Sequence, residues 1–218
     1  MSSKGFLQSS GFLEAKTNVP VLRKAFVKRP RLTDILNNSD RTVFIINAPA
    51  GYGKTSLVAE HIKVNNVKTA WLSIDSSDNN LNGFYRNLCF SINKSEKGLF
   101  ADLLDIWNLE AKVSIGSMLD ALIEKLSIIN DELTIVFDDF HYINSEKIYN
   151  LIEQFINWAP LNIRIIVLSR RRLNFRNIPK LRLKQQIDFI DANSLRFSLD
   201  EARNLFSLGG LNGLTKKE

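Results

Sequence analysis

Residues 42–55 read Thr-Val-Phe-Ile-Ile-Asn-Ala-Pro-Ala-Gly-Tyr-Gly-Lys-Thr, and this segment is the most informative part of the sequence about the fold. Its first half, Thr42–Asn47, is a run of β-branched and apolar residues, which is typical of a strand buried on both faces of a parallel sheet. The second half matches the phosphate-loop pattern G-x-x-x-x-G-K-[ST], with Ala48 in the place of the first glycine. A strand before the loop and a helix after it are the context that this motif requires. The stretch therefore predicts a site for a nucleoside triphosphate.

The loop residues have distinct expected roles. Small residues allow backbone N–H groups to approach the phosphates, and a helix that begins near Lys54 directs its positive dipole end at the same anion. Lys54 is expected to reach the β- and γ-phosphates, and the Thr55 hydroxyl is expected to bind Mg²⁺. The alternative is an ordinary strand-to-helix turn. The predicted nucleotide-binding residues of the loop are Ala50, Gly51, Tyr52, Gly53, Lys54, Thr55 and Ser56.

Another apolar run, Leu133–Phe137, ends in the two acids Asp138 and Asp139. Because Mg²⁺ takes one or two carboxylates and keeps several waters, Asp138 is the predicted magnesium ligand, together with Thr55. Asp139 is then the candidate for positioning the attacking water. An acid that only shapes the turn after the strand would have the same sequence, so this alternative stays open for Asp139.

Arg170 follows the apolar run Arg164–Ser169, at the sheet edge where ligands bind in open α/β folds. It is therefore a candidate sensor of the γ-phosphate. Arg170 also begins a cluster of three arginines, and such clusters are usually solvated, so both interpretations are kept. The catalytic candidates are Lys54, Asp138, Asp139 and Arg170.

Strand-like and helix-like patterns alternate along the chain. Besides Thr42–Asn47, the predicted strands are residues 68–73, 133–137, 164–169 and 186–190, and the predicted helices are residues 32–36, 55–64, 81–92, 117–129, 145–158 and 199–208. This alternation predicts a sheet covered by helices on both faces. We expect an α/β fold: a three-layer α-β-α P-loop NTPase with a mainly parallel, five-stranded sheet.

The same pattern suggests three parts. Residues 1–40 form an N-terminal segment, residues 41–198 form the P-loop NTPase core, and residues 199–218 start a following helical region that is cut short. With 218 residues, 44% of them hydrophobic and 24% charged, the composition is that of a globular domain. The chain can bury a substantial core without disulfides or metals.

The composition also limits the cellular location and the binding partners that we expect for this protein. The single Cys89 excludes an internal disulfide and a multi-cysteine metal site, and with no run long enough for a membrane span we expect a cytoplasmic protein without membrane contact. His61 and His141 have no second ligand at metal spacing and are interpreted as structural. The net charge of +6 fits a nucleic-acid partner, but a triphosphate ligand, acidic protein surfaces or solubility explain it equally well.

Several phrases together resemble one family. They are Val27-Lys28-Arg29-Pro30-Arg31-Leu32, Ala48-Pro49-Ala50-Gly51-Tyr52-Gly53-Lys54-Thr55, Trp71-Leu72-Ser73-Ile74-Asp75 with Asp78-Asn79, Val136-Phe137-Asp138-Asp139-Phe140-His141, Leu168-Ser169-Arg170 and Leu195-Arg196-Phe197-Ser198. The chain is similar to the MalT-like regulators, the large ATP-dependent LuxR-type proteins typified by the activator of the bacterial maltose regulon. These belong to the STAND class of signal-transduction NTPases. The phrases extend over nearly the whole chain.

The resemblance implies a molecular switch that is inactive with ADP, binds ATP with Mg²⁺ and an inducer, self-associates, activates transcription and is reset by slow hydrolysis. It implies that the N-terminal segment of residues 1–40 contributes to the nucleotide-base site, where Val27 and Arg29 contact the adenine, and that Asp75 lies near the γ-phosphate. DNA binding would belong to a C-terminal domain that these residues do not contain. Two alternatives stay open: a separate P-loop enzyme such as a kinase or motor ATPase, and a scaffold that binds ATP without hydrolysing it.

Overall fold

The computed structural model describes residues 13–22, 26–37, 40–101 and 114–208. The outer parts of the two predicted flanking segments, residues 1–12 and 209–218, lie outside this description.

The strands form one parallel sheet with the order β2-β3-β4-β1-β5. They are Val43–Asn47 (β1), Thr69–Ser73 (β2), Leu133–Asp138 (β3), Ile163–Ser169 (β4) and Ile187–Asp191 (β5). The register pairs Asn47 with Ser169 and Ser73 with Asp138, so the carboxyl ends of these strands are level at one edge. The five-stranded parallel sheet predicted from the sequence is confirmed, and the phosphate loop leaves its interior strand β1.

The helices are Pro30–Asn37 (α1), Lys54–Asn65 (α2), Leu81–Ser95 (α3), Ile115–Ser127 (α4), Glu146–Trp158 (α5), Ile178–Leu183 (α6) and Leu199–Leu208 (α7), with 3₁₀ turns at Ser76–Asp78 and Phe140–Tyr142. Six of these helices were predicted from the sequence, and their observed bounds differ from the predicted bounds by up to three residues. Helix α6 was not predicted, because it has only six residues and Pro179 in its first turn. In the part of the chain described, no helix combines the length and the apolarity needed to cross a membrane.

Successive side chains of each strand point to opposite faces of the sheet, so the core consists of two hydrophobic clusters, one on each face. On one face, Val43 and Ile45 of β1 join the cluster that contains Phe84 of α3. On the other face, Phe44 and Ile46 join Leu57 of α2 and the two buried leucines of α1. Because successive strand residues point to opposite faces, a strand that is apolar throughout must be covered on both sides. The predicted three-layer α-β-α fold is confirmed.

Candidate nucleotide-binding site

The phosphate loop lies between β1 and α2, at the carboxyl edge of the sheet. Gly51 and Gly53 have φ angles of 84° and 78°, a left-handed conformation that favours glycine. Gly53 is the N-cap of α2 and offers no side chain to the first N–H groups of the helix. Those groups lack intrahelical partners and carry the positive end of the helix dipole. The local structure therefore presents backbone donors suited to an anion.

Lys54 lies folded against the inner side of the loop. Its Nζ donates hydrogen bonds to the carbonyl oxygens of Ala48 at 2.7 Å and Pro49 at 3.0 Å. Burial lowers the pKa of Lys54, while the nearby charge of Asp139 acts in the opposite direction. The ammonium group is thus held beside the loop, at the position from which a lysine of this motif approaches phosphates.

The loop and the acidic end of β3 meet through Thr55 and Asp138. The Thr55 Oγ1 donates a 3.0 Å hydrogen bond to Oδ1 of Asp138, and the backbone N–H of Asp139 donates a second one of 3.0 Å to the same oxygen. Burial, and then the charge of Asp139, raise the pKa of Asp138 to about 6. A buried carboxylate with a raised pKa beside a hydroxyl is an environment that a cation would stabilise. The two residues therefore fit a magnesium ion.

Asp139 has a left-handed backbone, with a φ of 56°, and its side chain does not cap the 3₁₀ turn that follows. Instead, its Oδ1 lies 3.5 Å from Nε of Arg170 and 3.5 Å from Nδ1 of His141. Non-glycine residues in this conformation are uncommon and concentrate at functional sites. The carboxylate is thus directed to the ends of β3 and β4, where its charge acts to raise the pKa of Lys54.

Arg170 extends from the end of β4 toward Asp139. Besides its 3.5 Å contact with Asp139, its charge contributes to lowering the pKa values of Lys54 and His141, after burial in both cases. Its side chain is partly exposed. The structure therefore brings Lys54, Thr55, Asp138, Asp139 and Arg170 to one edge of the sheet.

A cavity of about 300 Å³ adjoins the start of α2. Its lining consists of Thr55, Ser56 and Ala59 of α2, and of Pro20, Val21, Leu22 and Phe26 from the N-terminal segment. Five of these seven lining residues are apolar, which gives a nucleotide base side chains to pack against. Sequence patterns did not single out these N-terminal residues, because an isolated apolar residue in an irregular segment has no periodicity.

Arg29 and Val27 lie in the same segment and are both buried. The Arg29 Nη2 donates hydrogen bonds to the carbonyl oxygens of Leu195 at 2.6 Å and Arg196 at 3.0 Å, and its Nε lies 3.4 Å from Glu201. A Cβ atom built on Gly53 would lie 3.9 Å from Arg29 Nη1, so the guanidinium lies next to the phosphate loop. In this arrangement Arg29 supports the loop and joins the segment to the residues before α7.

Asp75, which the resemblance puts near the γ-phosphate, caps the turn Ser76–Asp78. Its Oδ1 accepts from the N–H of Ser77 at 2.8 Å, and its Oδ2 lies 2.9 Å from Nζ of Lys16. The N–H of Asp75 in return donates to Asp78 at 2.9 Å, which completes a capping box. Asp75 therefore organises the connection after β2 in this structure.

The chain matches the family model described as Nephrocystin 3, N-terminal, over residues 22–170, which is more than half of its length. It is 30% identical over 192 residues to the serine/threonine-protein kinase PknK of Mycobacterium tuberculosis, covering 86% of this chain and 17% of that protein. It is 29% identical over 195 residues to the HTH-type transcriptional regulator MalT of Yersinia pestis, covering 89% and 21%.

Among solved structures, the chain is similar to a Signal Transduction ATPase with Numerous Domains (STAND) protein with a tetratricopeptide repeat sensor from Pyrococcus horikoshii. The TM-score is 0.59 and the identity 20%, with 87% of this chain and 26% of the other covered. The chain thus spans about a fifth of the length of the curated relatives described above. The fold and the sequence relatives agree with each other. We conclude that the chain belongs to the family of the nephrocystin 3 N-terminal domain, and that it is similar in sequence to MalT and in fold to a STAND ATPase.

Proposed function

We propose that this chain is the ATP-binding, slowly hydrolysing switch domain of a MalT-like transcriptional regulator. The observation that carries the proposal is the 3.0 Å hydrogen bond between Thr55 of the phosphate loop and Asp138 at the end of β3. It joins the two sequence elements that a P-loop NTPase needs side by side, across 83 positions of the chain.

In this proposal the loop residues Ala50 to Ser56 bind the phosphates of ATP or ADP. The backbone N–H groups at the start of α2 donate to them, and Lys54 exchanges its contacts with the loop carbonyls for contacts with phosphate oxygens. Thr55 and Asp138 hold Mg²⁺, which when bound neutralises negative charge on the phosphates. The raised pKa of Asp138 supports this role, because a cation favours the ionised carboxylate.

The base of the nucleotide is assigned to the cavity between α2 and the N-terminal segment. Pro20, Leu22 and Phe26 offer apolar contact, and Ser56 and Ala59 form the opposite wall. Val27 and Arg29 of the same segment are assigned to the base site by resemblance to MalT, and Arg29 is held there by its hydrogen bonds to the carbonyl oxygens before α7. Adenine is the proposed base by resemblance to MalT.

For hydrolysis we assign water positioning to Asp139 and γ-phosphate sensing to Arg170. Both side chains lie at the edge that holds Lys54, and they contact each other at 3.5 Å. A water-positioning carboxylate that already lies 3.5 Å from Arg170 Nε supports slow rather than rapid turnover, since this ion pair competes with water.

At the level of the whole regulator, we propose that the nucleotide state controls self-association and activation of transcription, in the cytoplasm and in response to an inducer. The 29% identity to MalT supports this assignment. Contact with DNA is assigned to other regions of the full-length protein.

The test is nucleotide binding measured by isothermal titration calorimetry, with ATP and ADP in the presence of Mg²⁺. The Lys54→Ala variant should lose at least about a hundredfold in affinity, because a charge-assisted phosphate contact disappears. Lys63→Ala is the matched control, since Lys63 lies exposed at the other end of the same helix. Circular dichroism should be unchanged in both variants. Micromolar ATP affinity retained by Lys54→Ala would refute the site.

Turnover separates the proposed switch from the other two functions. A switch should release ADP slowly without any acceptor. Release that depends on an added acceptor would indicate a kinase, and ATP binding without release would indicate a scaffold.

A further inference from the structure

Lys16 is a buried residue of the N-terminal segment, and burial is unusual for a lysine. It is 7% exposed, and its Nζ lies 2.5 Å from Oδ2 of Asp78, 2.9 Å from Oδ2 of Asp75 and 3.4 Å from Oγ of Ser77. These partners are about 60 positions away, in the connection between β2 and α3. Lys16 therefore joins the N-terminal segment to the carboxyl edge of the sheet.

The partner Asp78 is itself fixed on all sides. Its side chain is 1% exposed, and it accepts hydrogen bonds from Asn87 Nδ2 at 2.7 Å and from the N–H of Asp75 at 2.9 Å. Helix α3 and the capping box thus hold this carboxylate in place. A buried carboxylate requires a cation or several donors, so Lys16 is a specific partner and not an incidental surface charge.

The segment that Lys16 anchors continues directly into the wall of the base cavity. Pro20, Val21 and Leu22 follow within six positions and line the cavity opposite Thr55 and Ser56. Their position is not set by a helix or a strand, since residues 19–22 are irregular. Arg29 fixes the far end of the same wall through Leu195 and Arg196. Side-chain contacts therefore hold this wall at both ends, and Lys16 makes the contacts on the N-terminal side of the cavity.

We propose that Lys16 is a positioning residue for the base of the nucleotide. By pairing with Asp78 it fixes the N-terminal wall of the base cavity against α2, while the phosphate loop is assembled without it. This inference rests on the proposed nucleotide site and adds a residue that acts on the base alone. Its signature is a loss of affinity for nucleotides that does not extend to a polyphosphate lacking a base.

The experiment compares Mg-ATP with magnesium tripolyphosphate as titrants of the 218-residue chain. If Lys16→Met lets the wall occupy its place only about a tenth of the time, the ATP affinity falls about tenfold. The affinity for tripolyphosphate should stay within about twofold, because Lys54 and the loop are untouched. Lys16→Arg should keep most of the ATP affinity. Lys68→Met is the matched control, since Lys68 pairs with Glu96 and Asp131 at the opposite edge of the sheet.

Removing Lys16 leaves the Asp78 charge buried, and this alone can unfold a protein. The double variant Lys16→Met with Asp78→Asn removes both charges, and it should show the same selective loss of ATP affinity. An equal loss for ATP and tripolyphosphate, or no loss for either, overturns the role of Lys16. If the unaltered chain binds neither titrant, the proposed nucleotide site fails, which is a different result from failure of Lys16 alone.

Discussion

Thr55 Oγ1 and Asp138 Oδ1 share a 3.0 Å hydrogen bond that links the phosphate loop to the end of β3. Asp138 is 5% exposed, and burial followed by the charge of Asp139 raises its pKa to about 6. The folded protein therefore binds this proton more tightly than the unfolded chain does. At pH 7.5, where the carboxyl group is ionised, its charge destabilises the nucleotide-free fold.

Asp138→Asn should consequently stabilise the nucleotide-free protein while it impairs magnesium binding. Asparagine keeps an oxygen for the Thr55 hydroxyl and the Asp139 N–H but carries no charge. A pKa raised by roughly two units corresponds to a gain of at most about 3 kcal/mol at pH 7.5. Urea unfolding with EDTA measures this gain, and calorimetry with Mg-ATP should show an affinity at least about tenfold lower.

The matched control is Asp120→Asn, at an exposed aspartate on α4. It should leave both unfolding and Mg-ATP binding unchanged. A less stable Asp138→Asn variant that binds Mg-ATP normally would contradict both parts of the prediction.

Asp139→Asn should separate hydrolysis from binding. Asparagine tolerates the left-handed backbone found at this position, so the turn is preserved. A water-positioning carboxylate contributes on the order of a hundredfold to the rate, and the rate of phosphate release should fall by about this factor. ATP affinity should change by less than about threefold. Unchanged turnover would show that Asp139 only shapes the turn after β3.

Arg170→Ala tests the γ-phosphate sensor. Because Arg170 extends toward Asp139 at the end of β4, its loss should weaken ATP binding about tenfold more than ADP binding. Arg171→Ala is the control, since Arg171 forms hydrogen bonds with Asn47 and Ser169 through its backbone, which alanine retains. Equal ratios of ATP to ADP affinity before and after the Arg170 substitution would favour a solvated arginine cluster.

The buried His61 on α2 should make the free energy of unfolding depend on pH. It is 1% exposed, and burial, with a smaller effect of Arg164, lowers its pKa to about 4. Between pH 6.5 and 4 the unfolded chain therefore binds more protons, and the free energy of unfolding falls as the pH falls, by at most about 3 kcal/mol.

His61→Gln should remove this part of the dependence. Urea unfolding at pH 7.5 and pH 5.0 gives the change in the free energy of unfolding between the two pH values for each protein. This change should be smaller in the variant. The comparison within each protein cancels any cost of the substitution itself. Identical differences would exclude His61 as the source.

Glu201→Gln should destabilise the fold by about 3 kcal/mol, because it leaves the buried Arg29 without its carboxylate. Arg31, which pairs with the same group at 2.9 Å, is half exposed and adds little. Asp200→Asn is a close control, since its pair with Arg203 is exposed and worth less than about 1 kcal/mol. Thermal or urea unfolding measures both. Equal stabilities of the two variants would show that the Glu201 contacts contribute little.

Much of the fold follows from local patterns. The strand of residues 43–47 was predicted to within one residue, because burial on both faces leaves an unbroken apolar run. The phosphate loop, Asp138 and Arg170 could be placed at one edge, because the carboxyl ends of parallel strands meet there. The strand order, with β4 between β1 and β3, was not predictable, since no local signal states which strands are neighbours.

The contacts of the N-terminal segment could not be predicted from sequence patterns. The pairing of Lys16 with Asp78 joins residues 62 positions apart, each in a short helical turn, and neither residue has a periodic context. Arg29 binds backbone carbonyls of Leu195 and Arg196, which every residue type offers, so no sequence signal marks those partners. Contacts of this kind were visible only in three dimensions.

The two hydrogen bonds from Lys54 to the carbonyls of Ala48 and Pro49 have an energetic consequence for ligand affinity. Any anion that enters the loop competes with the protein's own oxygen atoms for this ammonium group, so the observed affinity reports an exchange of partners and not a new interaction. Discrimination between nucleotides then depends on how many phosphate oxygens replace two carbonyls. A short anion such as inorganic phosphate gains little from that exchange, which keeps the loop available for longer polyphosphates.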